Sequence, residues 1–338
     1  MTLPVILRRS LLLPAFALLA AACGGAGPGP GEPDAPSELS GGVCRLQGPM
    51  ATLDARIDES SGIVRSRLHP GLYWTHNDSG GRPELFAVDR EGRLMGRVTV
   101  PGVTNRDWED VAYGPCGTPG EALDTPAAER HRCLWIGEFG DNRQVRDTVF
   151  LYRVPEPHPD DQVTATPDIF PFVYADGPRD AEALFFDELD RAWVISKGRP
   201  INDRPGTEPD RGDGRITAYR LPVPLLPGIP SVAEPVQTLS GSPPPRDLRV
   251  TAGASSPSGR LMALRTYVDL QFYRLEGDTL SALLDGRGVD LRPLREPQGE
   301  GIDVEDDGSV VLSSEGGLLS PGTLVELRCD PEAGGRWP

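Results

Sequence analysis

The sequence lacks the short motifs that mark several common enzyme classes. It contains no Gly-x-Ser-x-Gly, His-Glu-x-x-His or Gly-x-x-x-x-Gly-Lys segment, and no cysteine or histidine pairs with the spacing of a zinc site. These absences argue against a nucleophile-elbow hydrolase, a zinc protease, a P-loop protein and a zinc-stabilised fold. Any catalytic or metal-binding residues are therefore dispersed along the chain.

Hydrophobic and aromatic residues are also few, at 38% and 6% of the chain. In contrast, the 338 residues include 40 glycines and 36 prolines. This composition suits short strands joined by many turns and argues against a helical bundle. The sequence therefore predicts an all-β protein.

Positive charge is limited, and nearly all of it is arginine. Of 34 basic residues only Lys197 is a lysine, against 50 acidic residues, so the formal net charge is −16. Loss of Arg8 and Arg9 with an N-terminal signal takes that charge to −18. Nucleic acid and anionic lipid headgroups are therefore poor partners.

The one long apolar stretch lies at the N-terminus. Residues 1–22 carry Arg8 and Arg9, then an apolar run and small residues, which is typical of a secretory signal and too short for a spanning helix. Cys23 follows directly and resembles the acylated cysteine of a bacterial lipobox. We expect a lipid anchor there, with ordinary secretion as the alternative. Residues 23–42 are rich in glycine and proline and are predicted to form a disordered tether.

A repeated pattern organises the rest of the chain. An acidic or polar cluster leads into an apolar residue and then into a hydrophobic run with polar residues at its end. Its copies begin at residues 59–63, 105–112, 179–184, 250–254 and 298–302. Such spacing is typical of a β-propeller, which we predict over residues 43–330 with five recognisable blade repeats. Six blades, with one degenerate copy, is the alternative.

Four further cysteines are expected to form disulfides in an exported protein. Cys44 opens the predicted propeller and Cys329 closes it, where the first and last strands must meet. Cys116 and Cys133 bracket an insertion within one repeat. We therefore predict the pairs Cys44–Cys329 and Cys116–Cys133.

The repeat also aligns carboxylates. Glu109, Glu182 and Glu300 fall at one equivalent position, with Ser61 and Ala252 there in the first and fourth copies. First strands line the channel of a propeller, so these acids should converge, and oxygen ligands suit Ca²⁺ or another hard cation. The candidate metal ligands are Glu59, Asn77, Asp107, Glu109, Asp141, Asn142, Asp180, Glu182 and Glu300.

Two basic residues near the predicted second-strand ends, Lys197 and Arg265, are expected to bind an anionic group. The alternative for the whole set is structural, because repeated polar residues at blade starts also cap strands. Of the four histidines only His76 lies at a ring-equivalent place, where a lone histidine is more often a spectator.

Several segments together resemble a known group of proteins. The sequences ESSGIV, YWTHNDSG, RDWEDVA, IGEFGDN, DGPRDAEAL and QGEGI are similar to those of exported bacterial propellers of the TolB-like superfamily. That superfamily includes phytase-like propellers and calcium-dependent gluconolactonases. The resemblance implies one axial calcium held by Glu, Asn and Asp, matched here by Glu59 or Glu300, Asn77 or Asn142, and Asp141.

From these features we expect a monomeric propeller, lipid-anchored in the bacterial cell envelope and at the outer membrane of a Gram-negative host. Its axial pocket would bind a divalent cation, with Ca²⁺ as the candidate cofactor. The predicted activity is metal-dependent hydrolysis of a phosphoester or lactone. The alternative is a non-catalytic propeller that binds an envelope protein or a glycan.

Overall fold

A computed structural model describes residues 38–118, 126–199, 214–286, 288–317 and 320–332. The predicted signal peptide, the lipidation site Cys23 and residues 24–37 of the predicted tether lie outside this part of the chain. Within the described residues no helix is long and apolar enough to cross a membrane. The secondary structure of the described residues consists of β-strands and four short 3-10 turns.

In the part of the chain that the structure describes, the strands form five antiparallel units, which we number as blades 1 to 5 in chain order. Blade 1 contains Ser60–Arg65, Leu72–Asn77, Glu84–Asp89 and Leu94–Thr99. Blade 2 contains Trp108–Pro115, Arg132–Glu138, Val149–Val154 and Asp168–Tyr174. Blade 3 contains Ala181–Phe186, Ala192–Ser196, Thr217–Arg220 and Ser231–Thr238. Blade 4 contains Val250–Ser255, Leu261–Thr266, Asp269–Glu276 and Thr279–Ala282. Blade 5 contains Gln298–Val304, Ser309–Glu315, Thr323–Cys329 and, from the N-terminal end, Cys44–Leu46.

The first strands of the five blades pack against one another in a closed cycle, 1 to 2 to 3 to 4 to 5 and back to 1. Five apolar clusters follow the same cycle, one between each pair of neighbouring blades. Trp74, Trp135 and Trp193, from the second strands of blades 1 to 3, are fully buried in these layers. This arrangement is that of a β-propeller, as the sequence predicted.

Blade 5 joins the two ends of the domain. Cys44–Leu46 pairs antiparallel with Thr323–Cys329, and Cys44 stands opposite Cys329. A disulfide links these two residues, and a second links Cys116 to Cys133. Both predicted pairs are confirmed.

The shorter elements modify this plan at its edges. The strand Glu38–Leu39 pairs with Cys44–Leu46, and the turn Ser40–Gly42 connects them, so strand pairing in blade 5 extends to Glu38. The remaining short elements are Ala51–Thr52, Val289–Asp290 and the 3-10 turns Ala127–Glu129, Arg246–Leu248 and Arg292–Leu294. The outer strands of blades 2 and 3 pair in parallel, which joins these two blades into one sheet.

Candidate functional site

Each first strand carries one extra residue near its beginning relative to the second strand. The register shifts occur between Ser60 and Ile63, Trp108 and Asp110, Ala181 and Ala183, Val250 and Ala252, and Gly299 and Ile302. A β-bulge of this kind redirects a side chain from the regular alternation of the strand. Aligned on these shifts, the bulge residues are Ser61, Glu109, Glu182, Thr251 and Glu300.

This alignment corrects one position of the predicted repeat. Thr251, and not Ala252, is the fourth member of the set, because Ala252 pairs with Arg265 after the register shift. The Ser61 hydroxyl donates to the Glu109 carbonyl oxygen at 2.6 Å, and the Thr251 hydroxyl donates to the Glu300 carbonyl oxygen at 3.3 Å. The two hydroxyls therefore hold neighbouring first strands together, and the three glutamates are left for the pocket.

A second set of side chains comes from the second strands. In each blade it is the residue directly after the one that pairs with the first strand just before the bulge. In blades 1, 3, 4 and 5 these residues are Asp78, Lys197, Tyr267 and Glu315, and all four line the same pocket. In blade 2 the residue is Phe139, which is buried in the apolar layer between blades 2 and 3. Blade 2 therefore contributes to the pocket through its first strand and through Asn142.

The pocket is a cavity of about 370 Å³ around the axis of the ring. Its lining residues are Ser61, Asp78, Glu109, Asn142, Glu182, Lys197, Arg199, Arg246, Arg249, Tyr267, Gln298, Glu300 and Glu315. Asp110 lies directly after the bulge of blade 2 and is fully buried among the first strands. Its carboxylate accepts from the Val111, Leu184 and Gly253 amides at 2.9, 2.8 and 3.2 Å, so it links blades 2, 3 and 4 across the axis.

Carboxylates gather on the wall formed by blades 1 to 3. One oxygen each from Asp78, Asp107 and Glu109 lie within 4.8 Å of one another, and so do oxygens from Glu109, Asp180 and Glu182. Glu109 belongs to both groups. A Cβ at Gly140 would lie 2.0 Å from Glu109 Oε1 and 2.6 Å from Asp107 Cγ, so only glycine leaves room for these carboxylates.

Asp180 has an oxygen that the protein does not satisfy. The residue is 2% exposed, and its Oδ1 accepts from the Asp141 amide at 3.2 Å. Its Oδ2 has no hydrogen-bond donor in the described part of the chain, and the Arg199 Nη1 atom is 3.9 Å away. A buried carboxylate oxygen without a donor is costly unless another group, such as a cation, meets it.

Lys197 supplies the internal counter-charge for this wall. Its Nζ atom donates to Glu182 Oε1 and lies 5.9 Å from the centre of the Tyr267 ring. This ammonium group and the Arg199 guanidinium group, 3.9 Å from Asp180, are two positive charges beside the five carboxylates of Asp78, Asp107, Glu109, Asp180 and Glu182. The remaining negative charge requires bound protons or a further cation.

The pKa values of the acids show this excess of charge. Burial, with the charges of Asp107, Glu182 and Glu315, raises the pKa of Asp78 to about 8. Burial and the charge of Glu182 raise the pKa of Glu109 well above its usual range. Burial raises the pKa of Glu182 to about 7 although Lys197 opposes the shift, and burial and Asp180 raise that of Asp107 to about 6. A cation-free pocket therefore retains protons near neutral pH.

On the wall formed by blade 5, an amide bridges two further acids. Gln298 Nε2 donates to Glu300 Oε1 at 2.9 Å and to Glu315 Oε2 at 2.7 Å. Burial raises the pKa of Glu300 well above its usual range, and burial with the charge of Glu59 raises that of Glu315 to about 7. This wall is thus held by the chain's own amide, unlike the unsatisfied Asp180.

Three predicted metal ligands are not brought to the cavity. Asn77 Oδ1 accepts from the Glu59 backbone amide, and Asn77 Nδ2 donates to the Arg56 carbonyl oxygen and to Asp58 Oδ1. Asp141 Oδ2 accepts from the Arg146 amide at 2.6 Å and holds a loop. Glu59 is exposed at the rim. Of the predicted set, Asp107, Glu109, Asp180 and Glu182 lie together, and the cavity itself is lined by Glu109, Glu182, Asn142 and Glu300.

The predicted anion ligands divide in the same way. Lys197 lines the cavity, whereas Arg265 is fully buried outside it. Arg265 Nη1 donates to the Gly301 and Ser313 carbonyl oxygens at 3.0 and 3.1 Å, and Nη2 donates to Glu296 Oε2 at 2.7 Å. Arg265 therefore joins blades 4 and 5 and has a structural role. His76 is also fully buried, and burial lowers its pKa to about 4, so it is a neutral core residue.

Several lining residues were absent from the predicted set, notably Asp78, Glu315, Arg249 and Tyr267. A signal for them exists in the sequence. Asp78 and Tyr267 follow their second strands at the position that Lys197 occupies in blade 3, and Glu315 ends its strand at the same position. Pairing the strands with their bulges would have placed Asp78, Lys197, Tyr267 and Glu315 in register.

Comparison with known proteins adds little to this picture. No protein-family model matches the chain, and no curated protein matches it. Among solved structures, the PQQ-bound aldose sugar dehydrogenase from Streptomyces coelicolor is 12% identical with a TM-score of 0.46, covering 88% of this chain and 100% of its own. The apo aldose sugar dehydrogenase from Escherichia coli is 12% identical with a TM-score of 0.47, covering 83% and 99%. A streptogramin B lyase is 11% identical with a TM-score of 0.39, covering 85% and 98%.

TM-scores below 0.5 carry no argument about activity. The propeller assignment rests on the order of the strands and on the cyclic packing of the blades. The resemblance of the sequence segments to TolB-like propellers stays a prediction.

Proposed function

We propose that this protein is a propeller whose axial pocket binds a divalent cation, with Ca²⁺ the first candidate, and uses it to hydrolyse a small phosphoester or lactone. The observation that carries the proposal is the buried, unsatisfied oxygen of Asp180 beside Glu109 and Glu182. Carboxylate oxygens gathered at this spacing are the donors that hard cations prefer. A bound cation would polarise a substrate oxygen.

The chain's own residues have separate roles in this proposal. Asp180, Glu182 and Glu109 hold the cation, and Asp78 and Asp107 complete the acidic wall. Lys197 fixes Glu182 by its hydrogen bond and places a positive charge next to the substrate. The buried Asp110 below them holds three blades in register, so the acids keep their spacing.

The first test measures cation binding. Calorimetric titration of chelator-treated protein with Ca²⁺ should show a site that Asp180→Asn removes, because the variant loses the charge of the carboxylate whose Oδ2 atom has no hydrogen-bond donor among the described residues. The exposed rim variant Glu59→Gln should still bind. Equal Ca²⁺ binding by wild type and Asp180→Asn would overturn the metal site.

Turnover is tested separately with a panel of aryl phosphoesters and lactones, with and without Ca²⁺. Hydrolysis that needs both Ca²⁺ and Asp180 supports the proposed activity. Ca²⁺ binding without hydrolysis of any panel member would favour the non-catalytic alternative, in which the pocket serves recognition.

We also propose that the mature protein is anchored through an acylated Cys23, which rests on the signal-like residues 1–22 and the cysteine that follows them. Intact mass of membrane-extracted protein should show the lipid, and Cys23→Ser should release the protein from the membrane fraction. An unchanged distribution in that variant would contradict the anchor.

A further inference from the structure

Blade 4 reverses the charge at one position of the repeat. Two residues before each bulge residue, the other four blades have Glu59, Asp107, Asp180 and Gln298, whereas blade 4 has Arg249. Arg249 is 9% exposed and lines the pocket. A single basic residue in an otherwise acidic or neutral set marks this wall as chemically different from the rest.

A second arginine reinforces the reversal. The 3-10 turn Arg246–Leu248 immediately precedes Arg249, and the Arg249 amide donates to the Arg246 carbonyl oxygen at 3.3 Å. Arg246 is exposed and also lines the pocket. Within the described part of the chain, the guanidinium group of Arg246 makes no hydrogen bond or ion pair.

The one acid of this turn, Asp247, contacts an arginine outside the pocket. Asp247 accepts from Arg292 Nη2 at 3.1 Å, and neither Asp247 nor Arg292 lines the pocket. Tyr267, the second-strand residue of blade 4, lies in the same cavity and has its pKa raised to about 12 by burial, so it is a neutral hydrogen-bond donor there. Blade 4 therefore contributes Arg246, Arg249 and Tyr267 to the lining of the pocket.

We propose that Arg246 and Arg249 form the anion subsite of the pocket and bind the phosphate or carboxylate group of a compact ligand. Guanidinium groups match such oxyanions with two parallel hydrogen bonds, and partial burial limits screening by salt. A cavity of about 370 Å³ is at the small end of ligand pockets, which commonly measure about 300–1,000 Å³. This inference deepens the proposed function, since the cation wall of blades 1 to 3 would contact the other end of the same ligand.

The test titrates inorganic phosphate, and in a parallel series acetate, into the purified protein at fixed ionic strength by calorimetry. Arg249→Gln should weaken binding of the preferred anion about tenfold or more, the loss expected for a charge-assisted hydrogen bond. Arg246→Gln should weaken it less, because that side chain is exposed. Arg292→Gln, a matched arginine outside the pocket, should bind as wild type does.

The anion that binds more tightly shows whether the ligand carries a phosphate or a carboxylate group. If neither anion binds, the proposed subsite is contradicted. Unchanged affinity in Arg249→Gln would overturn it as well. Arg249→Lys, which keeps the charge, should bind with intermediate affinity and serves if the glutamine variant does not fold.

Ca²⁺ titration of the same variants separates this inference from the proposed function. Arg249→Gln should retain Ca²⁺ binding. If phosphate binding depends on Arg249 and no Ca²⁺ binds, the anion subsite is supported and the metal site is contradicted. Ca²⁺ binding with arginine-independent phosphate binding would do the reverse.

Discussion

At the scale of single residues, Glu109 and Asp110 show how adjacent acids acquire different roles. The bulge of blade 2 directs Glu109 into the cavity, where its pKa rises through burial and neighbouring carboxylates. Asp110 points into the axis and accepts from three backbone amides on blades 2, 3 and 4. One acid lines the pocket, and the next holds the ring that positions it.

We predict that Asp110→Asn destabilises the protein by about 1–3 kcal/mol, the cost of leaving a buried hydrogen-bond donor unsatisfied. The reason is that the amide NH₂ group must face at least one of the three amide donors that the carboxylate now accepts. Urea unfolding measures the change. Asp160→Asn, at a side chain that is 88% exposed, is the control and should stay within about 0.5 kcal/mol of wild type.

The sequence could predict those site residues that occupy equivalent positions in recognisable copies of the repeat. Glu109, Glu182 and Glu300 could be aligned from sequence because each stands in a recognisable acidic cluster. Arg265 was predicted to bind an anion, but the lining residue of this strand is Tyr267, two positions later. Arg265 lies on the same face of the strand, farther from the cavity, and donates to the Ser313 carbonyl oxygen of blade 5. Asn77 precedes the lining residue Asp78, and adjacent residues of a strand face opposite ways.

At the scale of elements, the closure of blade 5 is the contact that makes a linear repeat into a ring. Cys44–Leu46 supplies the fourth strand, and the disulfide to Cys329 spans 285 residues of sequence. The Cys116–Cys133 disulfide spans only 17 residues within blade 2. In the chain-entropy account, the longer loop contributes more because it restricts the unfolded chain more.

We predict that removing the ring-closing disulfide by Cys44→Ser with Cys329→Ser costs about 5–6 kcal/mol by that account, against about 3 kcal/mol for Cys116→Ser with Cys133→Ser. Guanidinium unfolding of the two double variants measures the difference. The Cys116–Cys133 variant is the matched control, since it too loses one disulfide. A smaller loss for the ring-closing pair would contradict the prediction.

The first and last elements could be paired from sequence because only one arrangement of the cysteines brings the two ends together. The bulges could not be predicted in the same way. A bulge is a difference in register between two strands, and the hydrophobic pattern of blade 4, Val250–Ser255, is too short and too uniform to reveal which residue is the extra one. That uncertainty is why Ala252 was assigned in place of Thr251.

At the scale of the whole molecule, the fold concentrates charge that the chain could otherwise keep apart. With a net charge of −16, the acids of three blades are brought to within 4.8 Å of one another in two overlapping groups. Their mutual repulsion is the cost of the ring arrangement. Protons relieve it at low pH, and the proposed cation would relieve it at neutral pH.

This gives the stability of the cation-free protein a defined dependence on pH. Asp78, Asp107, Glu182 and Glu315 have pKa values of about 8, 6, 7 and 7, against about 4 for carboxyl groups of an unfolded chain. Because the folded state binds more protons than the unfolded state across this interval, the free energy of unfolding falls as the pH rises from about 4 to 8.

We therefore predict that the melting temperature of chelator-treated protein falls steadily from pH 5 to pH 8, and that Ca²⁺ removes most of this fall. Ca²⁺ should have little effect at pH 5, where protons occupy the acids. At pH 8 a hundredfold excess over Kd would add about 2.7 kcal/mol to the free energy of unfolding. Asp180→Asn should keep part of the pH dependence and lose the Ca²⁺ response. Parallel curves with and without Ca²⁺ would show that protons and Lys197 alone balance the ring, since a cation that binds these acids must compete with the protons they hold.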